Sequence, residues 1–332
     1  MTSPEGQDLA APAARGPAPP LLDLKLVFVT GKGGVGKTTV AGALALLAAQ
    51  RGKRVLVCEI DPTGALSALF EAGPTGFAPH EVAPNLFAMS MDTEASLREY
   101  LKHSLRVPLV GRIGPLAKAF DFVATAAPGV REILTTGKLA FEVRERNYDL
   151  VVADAPATGH VVSLLAAPQS INELVKVGLI RSQTDWILDI LSDEARTGVV
   201  AVTTPEEMPV AETVELTGRL KAETSVTLSA VIVNRVLPEL FGRREEEVFE
   251  RLCEPELAAQ LSEAAGGDTT PILDGARLAV SLRRARAVHL DALRAGLDPA
   301  VPLLLLPFLF TRFPGLRTTR QVASALSDEL GF

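Results

Sequence analysis

The 332-residue chain is 47% hydrophobic and 22% charged, which supplies a large core and excludes a wholly disordered protein. Its formal net charge is -7, with no long Lys/Arg run, so no nucleic acid is expected as partner, because phosphate contacts need clustered positive charge. Two cysteines, Cys58 and Cys253, stand far apart and match neither a disulfide framework nor a C-x-x-C site, which fits a reducing, cytoplasmic compartment.

Residues 1–23 include LAAPAARGPAPP and too little apolar surface to order themselves; they read as a flexible tail and lack the features of a signal peptide. Residues 24–332 read as one α/β domain. Apolar runs at 24–30, 54–60, 149–154, 198–204, 227–234 and 301–306, with a weaker one at 86–91, lack polar alternation and predict strands covered on both faces. Helical periodicity at 39–51, 211–222 and 277–293 lies between them. The alternation predicts a doubly wound, mostly parallel sheet with its ligands at the carboxyl ends of the strands.

Two long, mainly helical stretches, 93–146 and 161–196, exceed a minimal strand-helix-strand unit and predict an inserted helical subdomain. Within the first, residues 105–127 carry Val107, Leu109, Val110, Ile113, Leu116, Phe120, Phe122 and Val123. These side chains either pack on neighbouring helices or join a second protomer's to form an apolar groove for a hydrophobic segment. The densest apolar run, VPLLLLPFLF at 301–310, is half the length of a membrane span and holds two prolines, so it reads as a buried strand.

The chemistry concentrates in TGKGGVGKTT, residues 30–39, which satisfies G-x-x-x-x-G-K-[ST] between a predicted strand and a predicted helix. Gly31, Lys32, Gly33, Gly34, Val35, Gly36, Lys37, Thr38 and Thr39 are the expected phosphate cradle, with backbone N–H groups turned inward and the helix N-terminus behind them. Lys37 is expected on the β- and γ-phosphates of ATP, and the Thr38 hydroxyl on Mg²⁺. Lys32 is either a solvated surface lysine or a cation suited to a transferring phosphoryl group.

GKGGVGKTT resembles the deviant Walker A loop shared by MinD/ParA ATPases, the nitrogenase iron protein and the ArsA/tail-anchored-protein-targeting ATPases. The resemblance implies that Lys32 reaches across a dimer to the partner's phosphates. Asp61-Pro62-Thr63-Gly64-Ala65-Leu66 is similar to the DPAHSL switch I of the ArsA/tail-anchored-targeting branch, which implies that Asp61 directs the attacking water and stands near the metal. Gly64 and Ala65 replace that motif's His and Ser. Asp154-Ala155-Pro156-Ala157-Thr158-Gly159-His160 resembles the DTAPTGH switch II, making Asp154 the carboxylate that acts on Mg²⁺.

Three further segments are similar to the same branch: Pro128-Gly129 with Glu132, Thr204-Pro205-Glu206 with Glu212-Thr213, and Val231-Ile232-Val233-Asn234. The resemblance places Glu206 near nucleotide, Asn234 on the adenine base, and Pro307 and Phe308 in the adenine pocket. Against this stand ordinary roles: Asn is a turn former at strand ends, and an apolar loop packs. The chain lacks the C-x-x-C zinc clamp of eukaryotic targeting ATPases, the thiols of arsenite-sensing members and the basic terminal helix of MinD.

The resemblance implies a dimeric ATPase, a homodimer or a heterodimer with a related subunit, that couples turnover to targeting of membrane-protein segments. The competing expectations are a pump subunit energising a membrane partner, and a nucleotide-sensing scaffold with little hydrolysis.

Overall fold

The computed structural model describes residues 21–105, 129–174, 179–311 and 315–332. Eight strands are described: β1 (Leu26–Gly31), β2 (Val55–Glu59), β3 (His80–Ala83), β4 (Leu86–Ser90), β5 (Leu150–Ala157), β6 (Thr197–Thr203), β7 (Leu228–Val236) and β8 (Leu303–Pro307). They form one sheet in the order β3-β4-β2-β5-β1-β6-β7-β8, parallel throughout except where β3 runs antiparallel to β4. The helices are α1 (Lys37–Gln50), α2 (Ala65–Phe70), α3 (Thr93–Leu105), α4 (Val130–Arg144), α5 (Thr158–Leu174), α6 (Leu179–Leu191), α7 (Glu207–Glu223), α8 (Arg243–Leu252), α9 (Pro255–Ala265), α10 (Thr270–Gly296) and α11 (Leu316–Leu330).

Side chains alternate across a strand, so each central strand feeds two cores. Val27 and Val29 of β1 face the core under α1 and α11, where Leu44, Leu47 and Leu326 pack. Leu26 and Phe28 face the other core, built with Leu139 of α4, Leu165 of α5, Leu191 of α6 and Leu216 of α7. Burial on both faces explains why β1 and β2 lack polar alternation, each being apolar until Thr30 and Glu59 at its carboxyl end. Helix α1 is buried from Val40 to Ala49, which explains its apolar residues on every side; each fully buried leucine there contributes roughly 2 kcal/mol relative to exposure.

Three sequence expectations change. Leu21–Asp23, read as tail, forms a 3-10 turn with Leu21 and Leu22 buried against the α1 core, so the ordered chain starts before residue 24. The run at 301–310 does hold a strand, β8, but at the edge of the sheet: only Leu304 and Leu306 of β8 are buried, and Phe310 is exposed. Strand β3 has no apolar run to announce it, since its burial is partial and its pairing comes from β4. The stretches 93–146 and 161–196 contain α3, α4, α5 and α6. The apolar face expected at 105–127 lies outside the described residues apart from the backbone of Leu105. Among the described residues, no helix is long and apolar enough to cross a membrane.

Candidate active site

The loop from β1 to α1 turns at the carboxyl edge of the sheet's central strand. Gly31 and Gly36 have φ of +154° and +98°. A Cβ on Gly31 would stand 2.0 Å from the Val202 carbonyl oxygen, and one on Gly36 would stand 2.4 Å from Asn234 Nδ2, so neither position admits a side chain. Gly33 and Gly34 are exposed at the crest, Val35 is buried beneath it, and Thr39 is half-buried on α1. The first turn of α1 holds no acidic residue and has no side-chain cap, leaving its backbone donors for an anion.

Lys37 extends back under the crest and donates from Nζ to the Lys32 carbonyl oxygen at 3.3 Å. Burial holds its pKa below the ordinary lysine value, against the opposing pull of Asp154 and Asp61. Thr38 donates from Oγ1 to Asp154 Oδ2 at 2.6 Å. Asp154 pairs in register with Val29 of β1 and Glu59 of β2. Its strand does not stop there, as the sequence suggests, but continues past a bulge to Ala157 and runs directly into α5. Thr30 Oγ1 ties the start of the glycine loop to this extension by donating to the Pro156 carbonyl oxygen at 2.7 Å.

Burial pushes the Asp154 carboxyl up to about 6; the Glu59 and Asp61 charges add to this, while the Thr38 bond and Lys37 oppose it. Asp154 Oδ1 is buried and has no hydrogen-bond partner among the described residues. A buried carboxylate oxygen left unbonded beside a threonine hydroxyl and under a glycine cradle is a donor set suited to a hard, oxygen-seeking cation, so the residues fit Mg²⁺.

Asp61 follows β2 and accepts a bond from Arg131 Nη2 at 3.0 Å, both side chains being more than half exposed. Both residues line an open pocket of ≈ 190 Å³ with Glu132, Thr135, Pro156, His160 and Ser163. Helix α4 therefore reaches the switch I carboxylate from the side. Lys32, across the loop, ion-pairs with Glu212 of α7, whose other carboxylate oxygen accepts from Thr158 Oγ1 at 3.2 Å. One carboxylate thus joins the loop lysine to the start of α5.

The remaining sequence-predicted residues divide. Asn234, at the end of β7, donates from Nδ2 to the Val35 carbonyl oxygen at 2.8 Å and accepts from Arg235 N at 2.9 Å, so it fastens the glycine loop to β7. Glu206 stands at the N-cap position of α7 without a side-chain cap bond and pairs with Arg286 of α10 at 3.5 Å. Pro307 ends β8, and Phe308 donates its N–H to the Val236 carbonyl oxygen at 2.8 Å. Glu59 and Arg131 carry no motif and are invisible to sequence reading. Glu212 lies in a recognised segment, but nothing in it announces a bond to Lys32.

A glycine loop entering a helix at the centre of a doubly wound parallel sheet, with Lys37, Thr38 and Asp154 converging beneath it, defines a P-loop nucleoside triphosphatase. The sequence model of anion-transporting ATPases matches residues 24–187 and 179–254. The ATPase BagA of Mycobacterium tuberculosis is 34% identical over 229 residues, covering 66% of this chain and 67% of that protein. A putative arsenical pump-driving ATPase of Halobacterium salinarum is 27% identical over 297 residues, covering 83% of this chain and 44% of that protein. The ATPase get3 of Schizosaccharomyces japonicus is 33% identical over 174 residues, covering 51% of this chain and 52% of that protein. The chain belongs to the anion-transporting ATPase family and is an ATPase.

Proposed function

We propose that the chain is a cytoplasmic, Mg²⁺-dependent ATPase that works as a dimer and couples turnover to a change of shape serving the targeting of hydrophobic membrane-protein segments or a related client. The observation that carries this reading is the convergence of Lys37, Thr38, Asp154 and Asp61 at the carboxyl edge of β1, β2 and β5, each charge altering the next. Lys37 and the backbone amides from Gly33 to Thr38 bind the phosphates, and Thr38 and Asp154 would hold a magnesium ion. Magnesium, when bound, would supply positive charge to the phosphate chain. Asp61 orients a water toward the γ-phosphate and accepts its proton, and Lys32 leaves Glu212 to meet the partner's nucleotide. Glu206, Asn234, Pro307 and Phe308 border the adenine side, with Asn234 keeping a second N–H and a second oxygen lone pair for the base while bonded to Val35 and Arg235.

A pump-driving reading follows from the name of the Halobacterium relative. Cys58 is buried in β2, its thiol held above the ordinary range by burial, and Cys253 ends α8, so the two thiols provide no soft ligand set for a metalloid. The test is steady-state ATPase activity of the purified chain with Mg²⁺, wild type against Asp61→Asn, with and without arsenite or antimonite. Loss of turnover in Asp61→Asn, indifferent to metalloid, supports the proposal. Metalloid stimulation favours the pump, and a wild type that binds ATP without turnover makes the chain a nucleotide-sensing scaffold.

A further inference from the structure

Glu59 is 2% exposed at the carboxyl end of β2, where an ionised carboxylate is tolerated only if its oxygens are bonded. Its Oε1 accepts three bonds: from Thr63 N at 3.0 Å, Thr63 Oγ1 at 2.7 Å and Ala65 N at 3.0 Å. Its Oε2 lies 3.4 Å from Ser90 Oγ, which is 2.6 Å from Thr75 Oγ1, and Thr75 N donates to Ser67 Oγ at 3.2 Å. Ser67 belongs to α2. A single buried carboxylate therefore closes the arc that contains Asp61 and, through Ser90 and Thr75, holds the helix that follows it. Gly64 and Ala65 have no polar side chains with which to fasten this arc themselves.

We propose that Glu59 is the positioning residue for Asp61: it fixes the switch I loop so that the Asp61 carboxylate keeps one place relative to the Lys37 and Asp154 pair. The role rests on reading Asp61 as the carboxylate that directs water. Charge-assisted bonds are strong and directional, and two from backbone amides plus one from the Thr63 hydroxyl on one oxygen leave the loop little freedom. Among the described residues Glu59 makes no hydrogen bond to the phosphate loop or Lys37 and reaches the Asp154 carboxyl only through its charge, so its loss should alter turnover far more than nucleotide affinity.

The experiment compares Glu59→Ala, Glu59→Gln and Thr63→Val with wild type. It measures kcat, the Kd of a fluorescent ATP analogue, and hydrogen exchange at the amides of Thr63 and Ala65. Glu59→Ala is expected to lower kcat by roughly 10- to 100-fold, the loss that misplacement of about 1 Å produces, with Kd unchanged within about twofold. Exchange at Thr63 and Ala65 should rise about tenfold while α1 stays protected. Glu59→Gln retains an oxygen that accepts the same three donors and should stay within about threefold of wild type. Thr63→Val removes only the 2.7 Å bond and should lower kcat severalfold, which keeps the test decisive if Glu59→Ala does not fold.

In an Asp61→Asn background, Glu59→Ala should cause little further loss, because the residue acts chiefly through Asp61 and reaches Asp154 only through its charge. Wild-type kcat in both Glu59→Ala and Thr63→Val, with Asp61→Asn inactive, overturns the positioning role and leaves the reading of Asp61 standing. An active Asp61→Asn overturns that reading first, and the positioning role with it.

Discussion

The Thr38 hydroxyl donates to Asp154 Oδ2 at 2.6 Å, joining the first turn of α1 to β5, while the other oxygen of that buried carboxylate is unbonded among the described residues. The bond orients the carboxylate, and on the proposed function both groups would be oxygen donors to magnesium. Thr38→Ala removes one donor and the bond that aims the other. Turnover should fall at least ~10-fold, and the magnesium concentration for half-maximal activity should rise, as read from ATPase titrations against Mg²⁺.

Asp154 also makes a prediction about stability. Its carboxyl titrates near 3.8 when unfolded and at about 6 when folded, because burial disfavours the charge. The folded state holds the proton more tightly, so this group lowers stability as pH rises from about 4 to 6, and the penalty is constant above that. Two pH units correspond to on the order of 3 kcal/mol. Asp154→Asn should therefore abolish turnover yet stabilise the metal-free protein at pH 7.5 by about 1–3 kcal/mol, a gain that shrinks toward pH 4.5. Urea denaturation with EDTA at both pH values checks it. Equal stability of the two proteins at pH 7.5 would show that the buried charge carries no such cost.

Lys32 and Glu212 make the dimer testable. If Lys32 serves the partner's nucleotide, Lys32→Ala and Asp61→Asn are each inactive alone, but a mixed dimer contains one site with both groups. Equal mixing should restore about a quarter of wild-type activity, since half the dimers are mixed and each has one working site. No recovery after verified subunit exchange assigns Lys32 to its own protomer's nucleotide. Glu212→Gln weakens the charge pairing that holds Lys32 and should not impair turnover as Lys32→Ala does.

Gly36 sits at φ +98°, 2.4 Å from Asn234 Nδ2 by the place a Cβ would take. Gly36→Ala must strain the loop or displace Asn234 from the Val35 carbonyl. Destabilisation of about 1–3 kcal/mol and a loss of nucleotide affinity of at least ~10-fold are expected. Thermal unfolding and equilibrium binding of an ATP analogue check both parts, and an affinity equal to wild type would free the loop of this constraint.

Much of the fold was legible because its causes are local. Apolar runs without polar alternation at 54–60 and 149–154 mark strands covered on both faces, and eight consecutive residues from Gly31 to Thr38 contain the whole phosphate-loop pattern. Asp61 and Asp154 were readable from short motifs beside predicted strand ends, although the continuation of β5 to Ala157 was not, since it depends on the bulged pairing with Gly31. The edge position of β8 and the existence of β3 came from neighbours in the sheet, not from their own residues.

The sequence by itself determined the doubly wound architecture and the glycine loop and placed Asp61 and Asp154 at strand ends, because hydrophobic period and backbone freedom act within a few residues. Only the tertiary structure decided what those groups touch. Lys32 meets Glu212 from 180 positions away, Asn234 fastens Val35 from 199, and Glu59 is buried in a strand, where it holds the loop of Asp61. Such partners are chosen by the order in which strands pair and by the need of each buried polar group to be bonded, and neither is written in the spacing of the chain.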